Sequence, residues 1–169
     1  MTLKSLPARS EDQDYTRSIE EIYREYSSMI YWVSFAYMKN EADTEDIVSD
    51  VFVKLIQKRI QFQNAEHEKA WVLRTAINLC KDNLKHSRRK YKNIDEFVDL
   101  QSANPFNTNE ILKSVMELPD RYKDIVYLYY YEGYSTAEIA QILRKPQSSV
   151  RVYLHEARKI LKGVLENEE

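Results

Sequence analysis

Glycine and proline are scarce in this 169-residue chain, which has two glycines (Gly133 and Gly163) and four prolines. Folds of many short strands need frequent turns and draw on both residue types. The shortage therefore argues against an all-β architecture and for long helices joined by few loops. Cysteine is rarer still. A single Cys80 excludes an intramolecular disulfide and a thiolate zinc cluster, and it fits a reducing, cytoplasmic setting. Its simplest role is that of a small buried helix residue. The longest apolar stretch, from Met29 to Met38, contains Ser34 and falls short of the ~20 residues a membrane span needs, so no membrane insertion is expected. The first ten residues lack an apolar core of signal-peptide length. Also missing is any glycine-rich phosphate loop. His67, His86 and His155 are scattered without metal-ligand spacing, and no Ser, Cys and His grouping suggests a nucleophile. No catalytic residue, metal, cofactor or small-molecule substrate is therefore expected, and an enzyme is the least supported class.

What is present is apolar periodicity and segregated charge. Hydrophobic residues make up 43% of the chain, enough for a real core, and charged residues 31%. The formal net charge is only −2, which speaks against a generic DNA-coating protein. Acidic residues nevertheless crowd positions 11–50 and basic ones 81–92. Such a chain can touch nucleic acid at one place and a basic protein surface at another.

The apolar residues Ile22, Tyr26, Met29, Ile30, Val33 and Tyr37 recur at helical steps and predict a helix over 17–38. Asp43 or Thr44 is expected to cap the next helix. Its apolar stripe is Ile47, Val48, Val51, Phe52, Leu55 and Ile56, with Asp43, Asp46, Asp50 and Lys54 on another face. Residues 59–66 lose the period and read as a loop. A third helix is predicted over 68–89, with Trp71, Val72, Thr75, Ala76, Leu79 and Leu84 apolar or small and a strongly basic end. Residues 93–109 carry Asp95, Glu96 and Asp99 with no basic residue and read as an acidic linker.

Beyond the linker, helices are predicted over 110–118, 120–132 and 135–143, and from Pro146 or Gln147 to about 165. Ser135 and Glu138 have the spacing of a capping box, and Gly133 is a natural helix stop. The expectation is an all-α chain of two small domains: a helical bundle over 16–92, the linker 93–109, and a helix-turn-helix unit over 110–166.

Two short helices joined by the turn Arg144-Lys145-Pro146, the second one longer, form the helix-turn-helix pattern. In the second helix Val150, Leu154, Ala157 and Leu161 make one apolar stripe, and Ser148, Arg151, Val152 and His155 line the opposite face. The start of such a helix enters the major groove, where Arg pairs with guanine and Ser or Gln adapt to several bases. Arg144, Lys145, Arg158 and Lys159 are placed to hold phosphates. The plain alternative is a helical hairpin with a solvated polar face. The third helix combines Trp71, Arg74, Asn78, Asp82, Lys85, Arg88 and Arg89, an aromatic with nearby cations that suits single-stranded nucleic acid. The plain alternatives are a core tryptophan and a solvated basic helix end. The acidic face of the second helix is either a docking surface or simply a solvated, dipole-favoured start.

Three stretches carry a family resemblance: 43–52 (DTEDIVSDVF), 70–82 (AWVLRTAINLCKD) with the basic run after it, and 118–128 (LPDRYKDIVYL) followed by 133–140 (GYSTAEIA) and 149–151 (SVR). In this order across an acidic linker they resemble the sigma-70 family, in its small extracytoplasmic-function (ECF) group. The resemblance covers residues 17–165. It implies a factor that directs core RNA polymerase to promoter DNA. It places polymerase docking on Asp43, Asp46, Ser49, Asp50 and Phe52. Reading of the minus-ten element falls to Gln61, Phe62, Asn64, Trp71, Arg74, Asn78, Asp82, Lys85, Arg88 and Arg89, with Asn78 and the loop 61–64 holding a flipped base. The minus-thirty-five element falls to Ser135, Arg144, Lys145, Gln147, Ser148, Ser149, Arg151, Val152, His155 and Arg158. The linker would pass through the polymerase's RNA path, and an anti-sigma factor is an expected partner. This chain departs from the family at Ser49 (usually Gln), Ser148 (usually Gly), and Tyr153 and Glu156 (usually Arg). A stand-alone helix-turn-helix regulator and a sigma-like decoy that sequesters an anti-sigma protein are the rival readings.

Overall fold

The structure, a computed structural model, describes residues 15–91 and 110–166, with side chains at 15–87 and 113–163. Seven helices and no strand occur among the described residues: α1 (Ile19–Met38), α2 (Glu41–Lys58), α3 (Ala65–Tyr91), α4 (Glu110–Glu117), α5 (Asp120–Tyr130), α6 (Thr136–Leu143) and α7 (Gln147–Glu166). The expected linker 93–109 lies outside the described residues.

Short polar side chains set where the helices begin. Ser18 caps α1 in a reciprocal capping box with Glu21. Asn40, rather than Asp43 or Thr44, caps α2: its Oδ1 accepts from the Asp43 amide at 2.8 Å, so the helix starts at least three residues earlier than predicted. Asn64 likewise starts α3 by accepting from the His67 amide at 2.8 Å, and this takes Ala65 and Glu66 out of the expected loop. The predicted Ser135–Glu138 box is present at α6. The helix ends reflect the shortage of glycine. α1, α2 and α6 end on Lys39, Arg59 and Arg144 in the left-handed region, at φ 60°, 46° and 53°. A residue with a Cβ is strained there, but its positive charge suits the negative end of a helix. Gly133 takes φ 72° in the turn between α5 and α6.

α1, α2 and α3 pack together around Ile22, Ile30, Val33, Val51, Leu55, Val72, Leu73 and Ile77. α5, α6 and α7 pack around Ile125, Leu128, Ile139, Ile142, Val150 and Leu154, which belong to the same continuous cluster. A second cluster of Val115, Leu118, Tyr122, Val126 and Ala157 fixes α4 and α5 against α7. The N-terminal and C-terminal helices therefore meet, with α1 against α4 and α5 and α3 against α6. Cys80 is fully buried with Tyr37, Met38 and Ile47, as its sequence context suggests. No described helix is long and apolar enough to cross a membrane.

Candidate nucleic-acid interface

The first face lies on α2. Asp43, Asp46, Ser49 and Asp50 are exposed. Positions 46, 49, 50, 53 and 56 share one stripe at helical spacing, so the acids run beside two exposed apolar residues, Val53 (45% exposed) and Ile56 (55%). Ile56 leaves the core stripe expected for it, whereas Phe52 keeps its place there. Phe52 is buried, with its ring 4.9 Å from that of Tyr23, so it supports the face from beneath rather than lying on it. Val53 and Tyr23 were not singled out in the sequence. Their signal is an apolar side chain at a position where the helical period calls for a polar one.

The second face joins the loop after α2 to α3. Gln61, Asn64 and Asn78 are exposed, as are Asp82 and Lys85. Arg74, Asn78, Lys81 and Lys85 follow one another at steps of three and four, hence on one side of α3. Two of the residues expected here are less open. Phe62 is buried, 5.9 Å from Trp71 and 5.6 Å from His67 ring to ring, because the loop needs an apolar anchor under it. Trp71 is half-buried against the same core. Arg88 and Arg89 lie in α3 with side chains outside the described residues. Beneath the loop, Glu68 is fully buried and accepts from Arg17 Nη1 at 2.8 Å and the Tyr15 hydroxyl at 3.2 Å. This polar cluster ties the chain before α1 to the first turn of α3, and nothing in local spacing announces it.

Arg74 does not point freely into solvent. Its Nε donates to the Ile142 carbonyl at 2.5 Å and its Nη2 to the Gln141 carbonyl at 3.4 Å, at the end of α6. Burial lowers its pKa, and nearby Arg144 lowers it further.

The third face is the helix-turn-helix. Arg144, Gln147, Ser148, Arg151, Val152 and His155 are exposed at the turn and the start of α7, while Val150, Leu154 and Ala157 are buried on the other side. Ser149 and Lys145 are half-buried, and Lys145 Nζ lies 5.8 Å from the Tyr153 ring centroid. Gln147 donates to Thr136 Oγ1 at 3.2 Å, bracing α7 on α6. Ser135 is committed to its capping box: its hydroxyl bonds the Glu138 carboxylate, whose pKa falls through the Ser135 hydroxyl and amide. Arg158 Nε donates to the Tyr130 hydroxyl at 2.8 Å and lies over the Tyr129 ring, so two α5 tyrosines hold it. Tyr153 and Glu156, the two departures from arginine, both serve packing. Tyr153 sits edge-on to Tyr122, and Glu156 accepts from the Tyr122 hydroxyl at 2.8 Å.

Comparison with known proteins adds to this geometry. Residues 22–90 match sigma-70 region 2 and residues 108–161 match sigma-70 region 4. The RNA polymerase sigma factor SigV of Bacillus subtilis (strain 168) is 27% identical over 143 residues, covering 82% of this chain and 86% of SigV. The ECF RNA polymerase sigma factor SigW of the same organism is 24% identical over 172 residues, covering 91% and 90%. Among solved structures, the sigma factor RpoE in complex with the anti-sigma factor NepR from Bartonella quintana shares the fold with a TM-score of 0.71 at 17% identity, covering 89% of this chain and 98% of that one. With both regions matched in order on an all-helical chain, the protein belongs to the sigma-70 family of RNA polymerase sigma factors, in its extracytoplasmic-function group.

Proposed function

We propose that this chain is a cytoplasmic, non-enzymatic initiation factor whose three faces divide the work of directing core RNA polymerase to promoters. Asp46, Ser49 and Asp50 dock on the polymerase together with the apolar neighbours Val53 and Ile56. Acidic side chains steer the encounter, and the apolar pair contributes area removed from water. Asn78 with Gln61 and Asn64 holds an unpaired minus-ten base, and Arg74 and Lys85 hold the strand's backbone. Arg151, with Ser148, Val152 and His155, reads the minus-thirty-five element in the major groove. The domain division is 16–92 and 110–166, with the acidic residues 93–109 between them passing through the polymerase. An anti-sigma protein is the expected inhibitor.

One observation carries the reading. The chain exposes the acidic side of α2 within its region 2 match and the polar side at the start of α7 within its region 4 match. The test is to mix pure protein with core RNA polymerase and a promoter library and to sequence the transcripts. Specific initiation is expected. Polymerase binding without initiation would favour the decoy, and binding to duplex DNA alone would favour the stand-alone regulator.

A further inference from the structure

Asn40 and Asn64 both cap helices, and they differ in what their amide nitrogens do. At α2, Asn40 Oδ1 accepts from the Asp43 amide, while its Nδ2 donates to the Met38 carbonyl at 3.0 Å and to Asp43 Oδ2 at 2.7 Å. Both ends of that side chain are used inside the protein. At α3, Asn64 Oδ1 accepts from the His67 amide at 2.8 Å, but among the described residues nothing accepts from Asn64 Nδ2. The side chain is exposed, so its N–H donors face outward. The amide cannot turn over to offer its oxygen instead. Flipping would set Nδ2 against the His67 N–H, donor against donor, and leave the first turn of α3 uncapped. The loop around it is held as well. The Gln63 amide donates to His67 Nδ1 at 3.3 Å, and the buried Phe62 ring lies edge-on to the His67 ring at 5.6 Å. His67 thus touches three consecutive loop residues, Phe62, Gln63 and Asn64, and its ring takes up the Gln63 donor. Gln61 is exposed and caps nothing, so its amide turns either way. Asn64 is the loop side chain whose polarity the fold fixes.

We infer that Asn64 is a specificity-determining residue that presents only donors to the unpaired minus-ten base, and so selects a base whose facing exocyclic group is a keto oxygen (thymine or guanine) over one that bears an amino group (cytosine or adenine). The inference rests on the proposed role of the loop 61–64 and deepens it by naming the class of base. Thymine O4 and guanine O6 accept a hydrogen bond, whereas cytosine N4 and adenine N6 donate. An amino group set against Asn64 Nδ2 would leave two donors facing each other, both stripped of water. The capping bond from His67 is what turns a two-faced amide into a one-way reader.

Asn64→Asp tests polarity alone. Aspartate caps a helix about as well as asparagine, so one oxygen keeps the bond from the His67 amide while the other puts an acceptor where the donors were. Asn64→Ser also keeps a capping oxygen but is too short to carry the outward donors. The assay is initiation by the full chain with core polymerase on promoters in which each minus-ten position is varied through all four bases, scored by transcript sequencing. The readout is the ratio of keto to amino bases at each position, so a uniform loss of affinity cancels. Wild type should favour thymine or guanine about tenfold at one position. Asn64→Asp should reverse the preference at that position alone, and Asn64→Ser should level it, with unchanged helical circular dichroism. Should Asn64→Asp lose helicity, Asn64→Ser decides: a levelled preference supports the inference and an unaltered one overturns it. Base preferences indifferent to residue 64, or a wild-type preference for cytosine or adenine at the responding position, overturn the inference and leave the sigma reading standing. A wild-type chain that never initiates overturns the sigma reading, and the inference with it.

Discussion

Arg17→Ala is the most informative single perturbation beneath the loop that joins α2 to α3. Glu68 has no solvent exposure, and its Oε1 lies 2.8 Å from Arg17 Nη1. At an effective dielectric of about 20, charges at that separation attract by about 6 kcal/mol, and desolvation offsets much of this. Removing the cation does not merely cancel the attraction, because it leaves a buried carboxylate facing the neutral side chains of Tyr15 and Tyr26. Cutting one partner from a buried pair costs about 3–5 kcal/mol. Arg17 is 21% exposed, so the low end, about 3 kcal/mol, applies.

The reverse change should cost far less. Glu68→Gln leaves Arg17 with Glu25 at 2.7 Å and with water, so about 1 kcal/mol is expected. The double variant should be more stable than Arg17→Ala alone, because no charge is then stranded. Urea denaturation of all three against wild type measures the order. A 3 kcal/mol loss also lowers Tm by about 6–12 °C for a chain of this size. Glu68 sits one turn into α3, beside the loop bearing Gln61 and Asn64, so Arg17→Ala should weaken minus-ten strand binding more than polymerase docking. An Arg17→Ala variant as stable as Glu68→Gln would refute the argument from a stranded charge.

Three further outcomes are expected. Asp46→Arg with Asp50→Arg should weaken core polymerase binding at least tenfold, about 1.4 kcal/mol, with unchanged helicity, since both side chains are exposed; a pull-down titration reads this, and unaltered binding would move docking elsewhere. Arg151→Ala should cost about 1–3 kcal/mol at one base pair of the upstream element and relax preference there, as read by binding to a randomised duplex set; a uniform loss across all sequences would instead make Arg151 a phosphate contact. Burial pushes the Cys80 thiol up to about 12, so the folded state holds the thiol proton; the resulting stability is present below the ordinary thiol value and is lost as pH rises toward 12. At pH 8 iodoacetamide should react about a thousandfold more slowly with folded than with urea-unfolded protein, and fast labelling of the folded chain would show that Cys80 is not enclosed.

The parts legible in the sequence are those governed by local spacing. The 3.6-residue period located each described helix, Ser135 with Glu138 announced its capping box three positions apart, and the turn at Arg144 separated the two helices of the helix-turn-helix. Boundaries slipped where two chemistries compete for one position. Asn40 and Asp43 both suit a cap, and only the fold decides that Asn40 takes it, while Asn64 hides the start of α3 inside a polar stretch with no apolar period. Ile56 belongs by spacing to the apolar stripe yet is exposed, because periodicity gives the direction of a helix face while neighbouring elements decide how much of it is covered. Pairs such as Glu68 with Arg17, or Asp124 with Lys81, span 51 and 43 residues and leave no local trace.

The departures at Tyr153 and Glu156 show how a single-residue comparison misleads. Read one position at a time, two lost arginines imply weaker DNA binding. In the structure both side chains engage Tyr122 of α5, and α5 also contributes Tyr129 and Tyr130 to hold Arg158. The tyrosine-rich α5 and the altered α7 are thus one packing solution. The residues proposed to read DNA lie at the turn and the first two turns of α7, where Arg151 is exposed.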